Sequence, residues 1–336
     1  MTLRQVAALA EVSIKTASRA LTGDPAVRDA TRARVMEAAR RLDYVPNRAA
    51  RMMRTGRTGL VALVGQGIAT SPFATDIVRG LEAGLEGTGS ALMIANADGR
   101  GGDAAQRLAM EFRPDAVILA TNYHRDASGL FEPRHDRSVL LNCFVTGADA
   151  PTLLPDDEGG AALQARAALE AGHRRIGLIE LPEGTEAQRL RRAGLARSLA
   201  EAGALLDPAL VRAGKQGSEG ARRTVAFEAA RDLLDRPDRP TALICSKDEF
   251  ALQALMAAAS LGLRVPDDVS VVGFDDLALI SDEARPGITT VALPYAEMGR
   301  LAAEAALAPA PVSGPMRVPC ALVRRGSLGP APAGAA

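Results

Sequence analysis

The first 21 residues constrain the chain most, because two helix-start signals stand so close together that only a tight helical hairpin fits between them. In TLRQVAALAEVSIKTASRAL (residues 2–21), Thr2 and Gln5 have the spacing of a capping box. Val6, Leu9 and Ala10 follow at helical spacing. The helix gives way near Glu11 and Val12, and Ser13 caps a second helix from Ile14 to about Leu21. Ala17, Ala20 and Leu21 turn inward on that helix. Ile14, Lys15, Thr16, Ser18 and Arg19 stay outside, near its N-terminal end. An ordinary helical hairpin would share this pattern, but so does a helix-turn-helix, whose second helix offers its first turns to base edges in a major groove.

The next residues favour the second reading. Residues 29–42 form a third helix with Val35, Ala38, Ala39 and Leu42 as its apolar stripe. In YVPNRAARMM, Pro46 pushes Val45 into extended geometry, and Asn47 caps a short helix over residues 48–53 ahead of Gly56 and Gly59. Residues 1–58 hold 12 Lys/Arg against 5 Asp/Glu, and the remaining 28 basic and 35 acidic residues reverse the sign. A formal net charge of zero therefore hides a basic head, at +7, on an acidic body, at −7. Such a head suits a phosphate backbone.

From Leu60 the pattern changes to short continuous apolar runs separated by helical segments. The runs lie near residues 60–65, 91–97, 116–122, 139–145, 175–181, 241–246, 270–274 and 288–294, with a last strand near 317–324. Alternation of this kind means parallel sheets covered on both faces, and two such series make two Rossmann-like lobes with a cleft between them. The division expected is 1–45 for the all-α head, 46–58 for a hinge helix and linker, 59–328 for the two-lobed body, and 329–336 (GPAPAGAA) for a low-complexity, disordered tail. Cys143, Cys245 and Cys320 lie in apolar runs without ligand spacing and read as buried free thiols. With no signal peptide and no long apolar run, the expectation is a soluble cytoplasmic protein with no membrane contact.

On T-L-R-Q-V-A, V-S-I-K-T-A-S-R-A-L, T-R-A-R-V and L-D-Y-V-P-N-R-A-A-R, the chain resembles the lactose-repressor/galactose-repressor (LacI/GalR) family of transcription regulators. The resemblance runs through nearly the whole chain. It implies a periplasmic-binding-protein-like body in which the chain crosses between lobes three times, with crossings expected near 154–157, 281–286 and 308–314. It implies a homodimer on double-stranded operator DNA, controlled by a small-molecule effector in the cleft. Thr2, Ile14, Lys15, Thr16, Ser18 and Arg19 would contact DNA from the head. Asn47, Arg48, Arg51 and Arg54 would contact it beside the hinge helix, where Met53 matches the family's apolar wedge into a minor-groove step. One departure is Glu11, where the family has glycine, so that a left-handed turn position carries a side chain.

For the effector, Arg191 in R-L-R-R-A-G-L and Asp275 in V-G-F-D-D align with the family's ligand-gripping arginine and aspartate. Pro72, Phe73, Asn122 and Tyr295 match positions that line the pocket. Asp157 and Lys247 stand where the family often has asparagine, so the floor of the pocket is altered. An ammonium at Lys247 needs an anion when buried. With Arg191 beside it, the expectation leans from a neutral sugar towards a sugar acid or a sugar phosphate.

Other chemistries fit less well. Gly65-x-Gly67-x-x-Thr70 follows a strand but lacks the third glycine of a dinucleotide loop, so no cofactor is expected. The pairs Asp156–Asp157, Asp267–Asp268 and Asp275–Asp276 read as capping or solvated carboxylates. His124, His135 and His173 accompany no Ser or Cys motif, so neither an enzyme nor a metal site is expected. A transport component would share the body, but would carry a signal peptide and no helix-turn-helix.

Overall fold

The computed structural model describes residues 1–44, 56–68, 70–99, 101–133, 137–217, 223–309 and 314–332, apart from the side chain of Phe73. The chain forms two compact units, Met1–Gly59 and Leu60–Ala336.

In the first unit, helices α1 (Leu3–Leu9), α2 (Ile14–Leu21) and α3 (Asp29–Arg41) enclose a small core of Val6, Ala7, Ala10, Ala17, Ala20, Val27, Val35, Ala38 and Ala39. Both caps form as the sequence requires. The Thr2 amide donates to Gln5 Oε1 at 2.8 Å while the Gln5 amide donates to Thr2 Oγ1 at 3.4 Å. The Thr16 amide donates to Ser13 Oγ at 3.0 Å. Glu11 takes φ 53°, the left-handed conformation that costs an L-residue about 1–2 kcal/mol. Glu11→Gly is therefore expected to stabilise the head by about 0.5–1 kcal/mol, the remainder being lost to the freer unfolded chain. Slower hydrogen exchange at the Ala10 and Ala17 amides, which bond to Val6 and Ser13 carbonyls, would register the gain.

The second unit contains two six-stranded sheets. The first lobe is built from β1 (Leu60–Gln66), α4 (Thr75–Leu85), β2 (Ala91–Asn96), α5 (Gly102–Glu111), β3 (Ala116–Asp126), β4 (Ser138–Phe144) and β5 (Thr152–Pro155). The second holds α6 (Asp157–Glu170), β6 (Ile176–Glu180), α7 (Glu186–Glu201), β7 (Val211–Ala213), a small ribbon of β8 (Lys215–Gln216) and β9 (Arg223–Thr224), α8 (Ala226–Leu234), β10 (Ala242–Cys245), α9 (Asp248–Ser260), β11 (Ser270–Asp275), α10 (Ala278–Ser281) and β12 (Thr289–Ala292). The chain then returns to the first lobe with α11 (Tyr295–Leu307) and β13 (Pro315–Val318), and ends in the second with β14 (Ala321–Val323). Strand orders are β13-β5-β4-β3-β1-β2 and β14-β12-β11-β10-β6-β7, and only β14 runs antiparallel to its neighbour.

Burial on both faces explains the continuous apolar runs. Val61 and Leu63 face a core shared with Ile77 and Leu81 of α4 and Met298 and Ala302 of α11, while Ala62 and Val64 face Ala105 and Ala109 of α5. The helices α4 and α11 cross with their backbones almost touching. A Cβ at Gly80 would stand 2.0 Å from the Ala296 carbonyl oxygen, so only glycine fits there.

Three expectations are corrected. The first crossing does fall at Asp156, between β5 and α6, but the second lies at 293–294 and the third at 319–320. Segment 281–286 stays in the second lobe, with Ser281 and Ala284 buried there, and the elements before and after 308–314, α11 and β13, both belong to the first lobe, residues 310–313 lying outside the described residues. The single last strand expected over 317–324 is split, because Pro319 and Cys320 carry the chain from one sheet to the other. The tail is also partly ordered. Gly329 bonds through its amide to Ser270 Oγ at 3.1 Å and through its carbonyl to His173 Nε2 at 3.1 Å, and the Ala331 amide donates to the Ala171 carbonyl at 2.8 Å. Residues 333–336 lie outside the described residues. Among the described residues no helix is long and apolar enough to cross a membrane.

Candidate ligand cleft and nucleic-acid interface

On the head, α2 buries Ala17 and Ala20 and leaves Lys15 exposed beside Ile14, which is 46% exposed. Arg19 pairs with Asp24 at 3.3 Å on the open surface. Thr16 is half-buried, its hydroxyl 2.8 Å from that of Ser13, and Ser18 is half-buried too. Thr2 is committed to its cap. Asn47, Arg48, Arg51, Met53 and Arg54 lie outside the described residues.

In the second unit, strand ends from both lobes converge on one closed cleft with a free volume of only about 10 Å³, lined by Asn122, Tyr123, His124, Leu181, Ala187, Arg191, Lys247, Asp275 and Tyr295. This is where an open α/β sheet offers a ligand its strand termini. That volume holds about one water, so the lobes stand closed on each other and a ligand of the usual roughly 300–1,000 Å³ pocket needs them to part. Pro72 is exposed at the start of a short 3-10 turn and does not line the cavity, and nothing is described of the Phe73 side chain. Asn122 lies over Gly67, where a Cβ would come within 2.7 Å of its amide. The glycine loop is turned to an internal task, for the Gly67 amide and the Thr70 hydroxyl both donate to Asp98.

A ring of charge holds the cleft. Arg191 on α7 donates from Nε to Asp157 Oδ1 at 2.8 Å and from Nη1 to the Ser246 carbonyl at 2.7 Å. Its guanidinium lies 3.6 Å from the Phe274 ring centroid and 3.8 Å from Asp275 Oδ1. Asp157 is fully buried, and its other oxygen meets His124 Nδ1 at 2.8 Å. His124 comes from β3 in the first lobe and Asp157 from α6 in the second, so this contact bridges the lobes. Burial opposes the Asp157 charge, but Arg191 and His124 outweigh it and hold the carboxyl below its ordinary value. Lys247 Nζ lies 4.0 Å from Asp275 Oδ2, 3.8 Å from Glu249 and 5.3 Å from the Tyr123 ring centroid.

Asp275 takes φ 121° at the end of β11, and its Oδ2 is buried without a hydrogen-bond partner. Burial pushes its pKa up to about 6, against the pull of Lys247 and Arg191. Asp248, accepting from the Leu277 amide at 2.9 Å and 2.6 Å from Thr290 Oγ1, is pushed up to about 8 by burial and then by the Asp275 charge. At neutral pH Asp248 keeps its proton. Arg191 and Lys247 then face Asp157 and Asp275, two charges of each sign. Lys247 thus has protein carboxylates within 4.0 Å, an internal source for the countercharge that the sequence led one to seek in an acidic ligand.

Sequence reasoning placed Asn122, Asp157, Arg191, Lys247, Asp275 and Tyr295 individually, and the fold brings all but Asp157 to the cavity lining, with Asp157 directly behind Arg191. It missed Tyr123 and His124, because β3 runs four residues past the apolar run that marked it. The three aspartate pairs, read as capping or solvated carboxylates apart from the roles the resemblance gives Asp157 and Asp275, divide in the structure. Asp156 does cap α6, Asp268 is a half-buried partner of Arg264, but the side chains of Asp157 and Asp275 are buried. Burial drives the Cys143 and Cys320 thiols up to about 12, and Cys245 is raised likewise. Among the described residues no cluster of His, Cys, Asp and Glu is arranged to hold a metal ion.

Comparison with known proteins agrees with this architecture at both ends. Residues 2–47 match the model described as bacterial regulatory proteins, lacI family, and residues 165–328 match a periplasmic binding protein-like domain. The chain is 32% identical over 313 residues to the HTH-type transcriptional repressor CytR of Escherichia coli, covering 89% of this chain and 86% of that one. It is 32% identical over 327 residues to the sucrose operon repressor of Escherichia coli, covering 96% and 98%. Among solved structures, the complex of the transcriptional regulator CelR with cellobiose superposes with TM-score 0.65 at 32% identity, covering 97% of this chain and 99% of that one.

Proposed function

This chain belongs to the lacI family of bacterial regulatory proteins, and from that premise we propose that it acts in the cytoplasm as a homodimeric repressor whose effector is a neutral sugar. It is a DNA-binding transcriptional repressor rather than an enzyme. Ile14, Lys15, Thr16, Ser18 and Arg19 read a half-site in the major groove, where Lys and Arg suit guanine O6/N7 and Ile14 suits a thymine methyl. Asn47, Arg48, Arg51 and Arg54 hold phosphates beside the hinge, and Met53 wedges into a minor-groove step. Apolar surface left open on the first lobe, at Ile94, Leu108 and Phe112, supports self-association.

One observation carries the effector reading. The cavity is walled by charged groups that cancel among themselves, yet Asp275 Oδ2 is buried and unsatisfied. Such a site rewards a ligand that donates hydroxyl hydrogens without adding charge. Relatives point the same way: one is named for the sucrose operon, and the CelR structure holds cellobiose. Ligand-dependent change in the lobes would order or release the hinge helices.

The test uses an operator selected in vitro from random duplexes, with binding followed by fluorescence anisotropy against neutral sugars and their acid and phosphate counterparts. The expected operator is a pseudo-palindrome, and a neutral sugar shifts its affinity. Arg191→Ala removes that response; because it also leaves Asp157 buried with His124 alone, its folding is checked by circular dichroism and by operator binding without effector. Response to acidic ligands alone, or an unchanged response in Arg191→Ala, would reject the reading.

A further inference from the structure

Lys247 borders a second construction on the far side of the cleft wall. In the antiparallel β8–β9 ribbon, Lys215 and Thr224 are direct cross-strand partners, and both grip one carboxylate. Thr224 Oγ1 donates to Glu249 Oε1 at 2.6 Å, and Lys215 Nζ lies 3.1 Å from Glu249 Oε2. That same Oε2 lies 3.8 Å from Lys247 Nζ. Glu249 thus stands between two ammonium groups, fixed from the ribbon side by a hydroxyl and a cation at once. Burial works against its charge, but the Thr224 hydrogen bond, Lys215 and Lys247 together bring its pKa below the ordinary value, so it is ionised at neutral pH.

The charge balance of the cleft depends on this carboxylate. Asp275 is shared, lying 4.0 Å from Lys247 and 3.8 Å from Arg191, while Arg191 already holds Asp157. With Lys215 included, three cations face Asp157, Asp275 and Glu249. Without Glu249 the group would carry one surplus positive charge, shared by Lys215 and Lys247, and the Lys247 side chain is only 7% exposed. A buried surplus charge draws in an anion.

We propose that Glu249, held in place by the β8–β9 ribbon, is a selectivity-determining residue that keeps the cleft for uncharged effectors by neutralising Lys247. The proposal rests on the cleft being the effector site. It assigns Glu249 no contact with the ligand. The residue acts by positioning a countercharge, and the ribbon fixes that position through Lys215 and Thr224.

Glu249→Gln preserves shape and the acceptor for Thr224 while removing the charge. Purified full-length wild type and variant are titrated with glucose, cellobiose, glucuronate and inorganic phosphate, followed by calorimetry and thermal shift. Losing one negative charge about 10 Å from a bound anion is worth roughly tenfold in anion affinity at an effective dielectric of about 20. The expected result is a rise of that size in glucuronate or phosphate affinity relative to the neutral sugars. Adding Lys247→Asn to the variant abolishes the gain, which separates a charge effect from a general loosening of the ribbon. Folding is checked by circular dichroism and by operator binding without effector. A folded Glu249→Gln protein with no gain for either anion overturns the proposal. If wild type binds neither of the neutral sugars, the neutral-sugar reading is what fails, and the phosphate arm still decides the role of Glu249.

Discussion

The double substitution Lys15→Ala/Arg19→Ala is expected to cost about 2–6 kcal/mol of specific operator affinity, since each base-edge contact is worth about 1–3 kcal/mol and well-separated contacts add. The geometry of α2 sets this expectation. Ser13 caps the helix, Ala17 and Ala20 pin one face into the head, and the opposite face presents Ile14 and Lys15 from the first turn. Arg19, one turn on, is held by Asp24 at 3.3 Å. An exposed pair of that kind is worth at most about 1 kcal/mol, so DNA displaces it at little cost. Affinity for random duplex should fall much less, with the salt dependence flattened by about one counterion per cation removed. The matching control is Arg40→Ala/Arg41→Ala at the end of α3, where both guanidinium groups are tied to Glu37 at 2.8 Å. That variant is expected to keep the base preference. Should Lys15→Ala/Arg19→Ala retain the selected sequence at wild-type affinity, α2 is not the reading helix.

What was legible in the sequence was local. The capping pair Thr2 and Gln5, the cap at Ser13 and the misfit at Glu11 each involve residues within a few positions of one another, and each appears in the structure at the atoms expected. Strand placement was legible too, because burial on both faces writes itself as a continuous apolar run. The crossings were not. Leu293–Pro294 looks like the end of any strand, and only the pairing of β13 with β5 and of β14 with β12 shows that the chain changes lobe at 319–320. The site divides the same way. Single residues such as Arg191 and Asp275 could be singled out, but their charge state could not, since it depends on partners far along the chain. Asp157 meets His124 from 33 residues before it and Arg191 from 34 after it. Which carboxylates meet Lys247 is likewise set by the fold, which brings Asp275 and Glu249 within 4.0 Å of it. The docked residues 329–332 follow the same rule, because their composition is that of a loose tail while His173 and Ser270 supply the bonds that order them.

Asp157→Ala is expected to lower the stability of the two-lobed unit by about 3–5 kcal/mol, the cost of leaving buried partners of an ion pair uncompensated. Two groups lose their anion at once. Arg191 keeps the Ser246 carbonyl and Asp275 at 3.8 Å, and His124, whose side chain is 3% exposed, loses its bond to the second lobe and keeps edge packing on Phe144 of its own lobe. Asp157→Asn should cost less, because its amide oxygen still accepts from Arg191. Acid titration separates this role from simple cavity formation. A carboxyl whose folded pKa lies below its ordinary 3.8 contributes stability that is present above that value and lost as pH falls through the folded pKa. Both Asp157 variants should therefore lose part of the acid-induced destabilisation seen in wild type below about pH 4. Asp275 has the opposite sign. Its pKa is raised to about 6, so its contribution is full below 3.8 and is lost as pH rises through about 6. Asp275→Asn should flatten that middle window and leave the acid limb alone. Urea unfolding at a series of pH values measures both slopes on the same protein. A loss under about 1 kcal/mol for Asp157→Ala at neutral pH, the size of an exposed pair, with an unchanged acid limb, would show that the His124–Asp157–Arg191 contacts do not hold the lobes together.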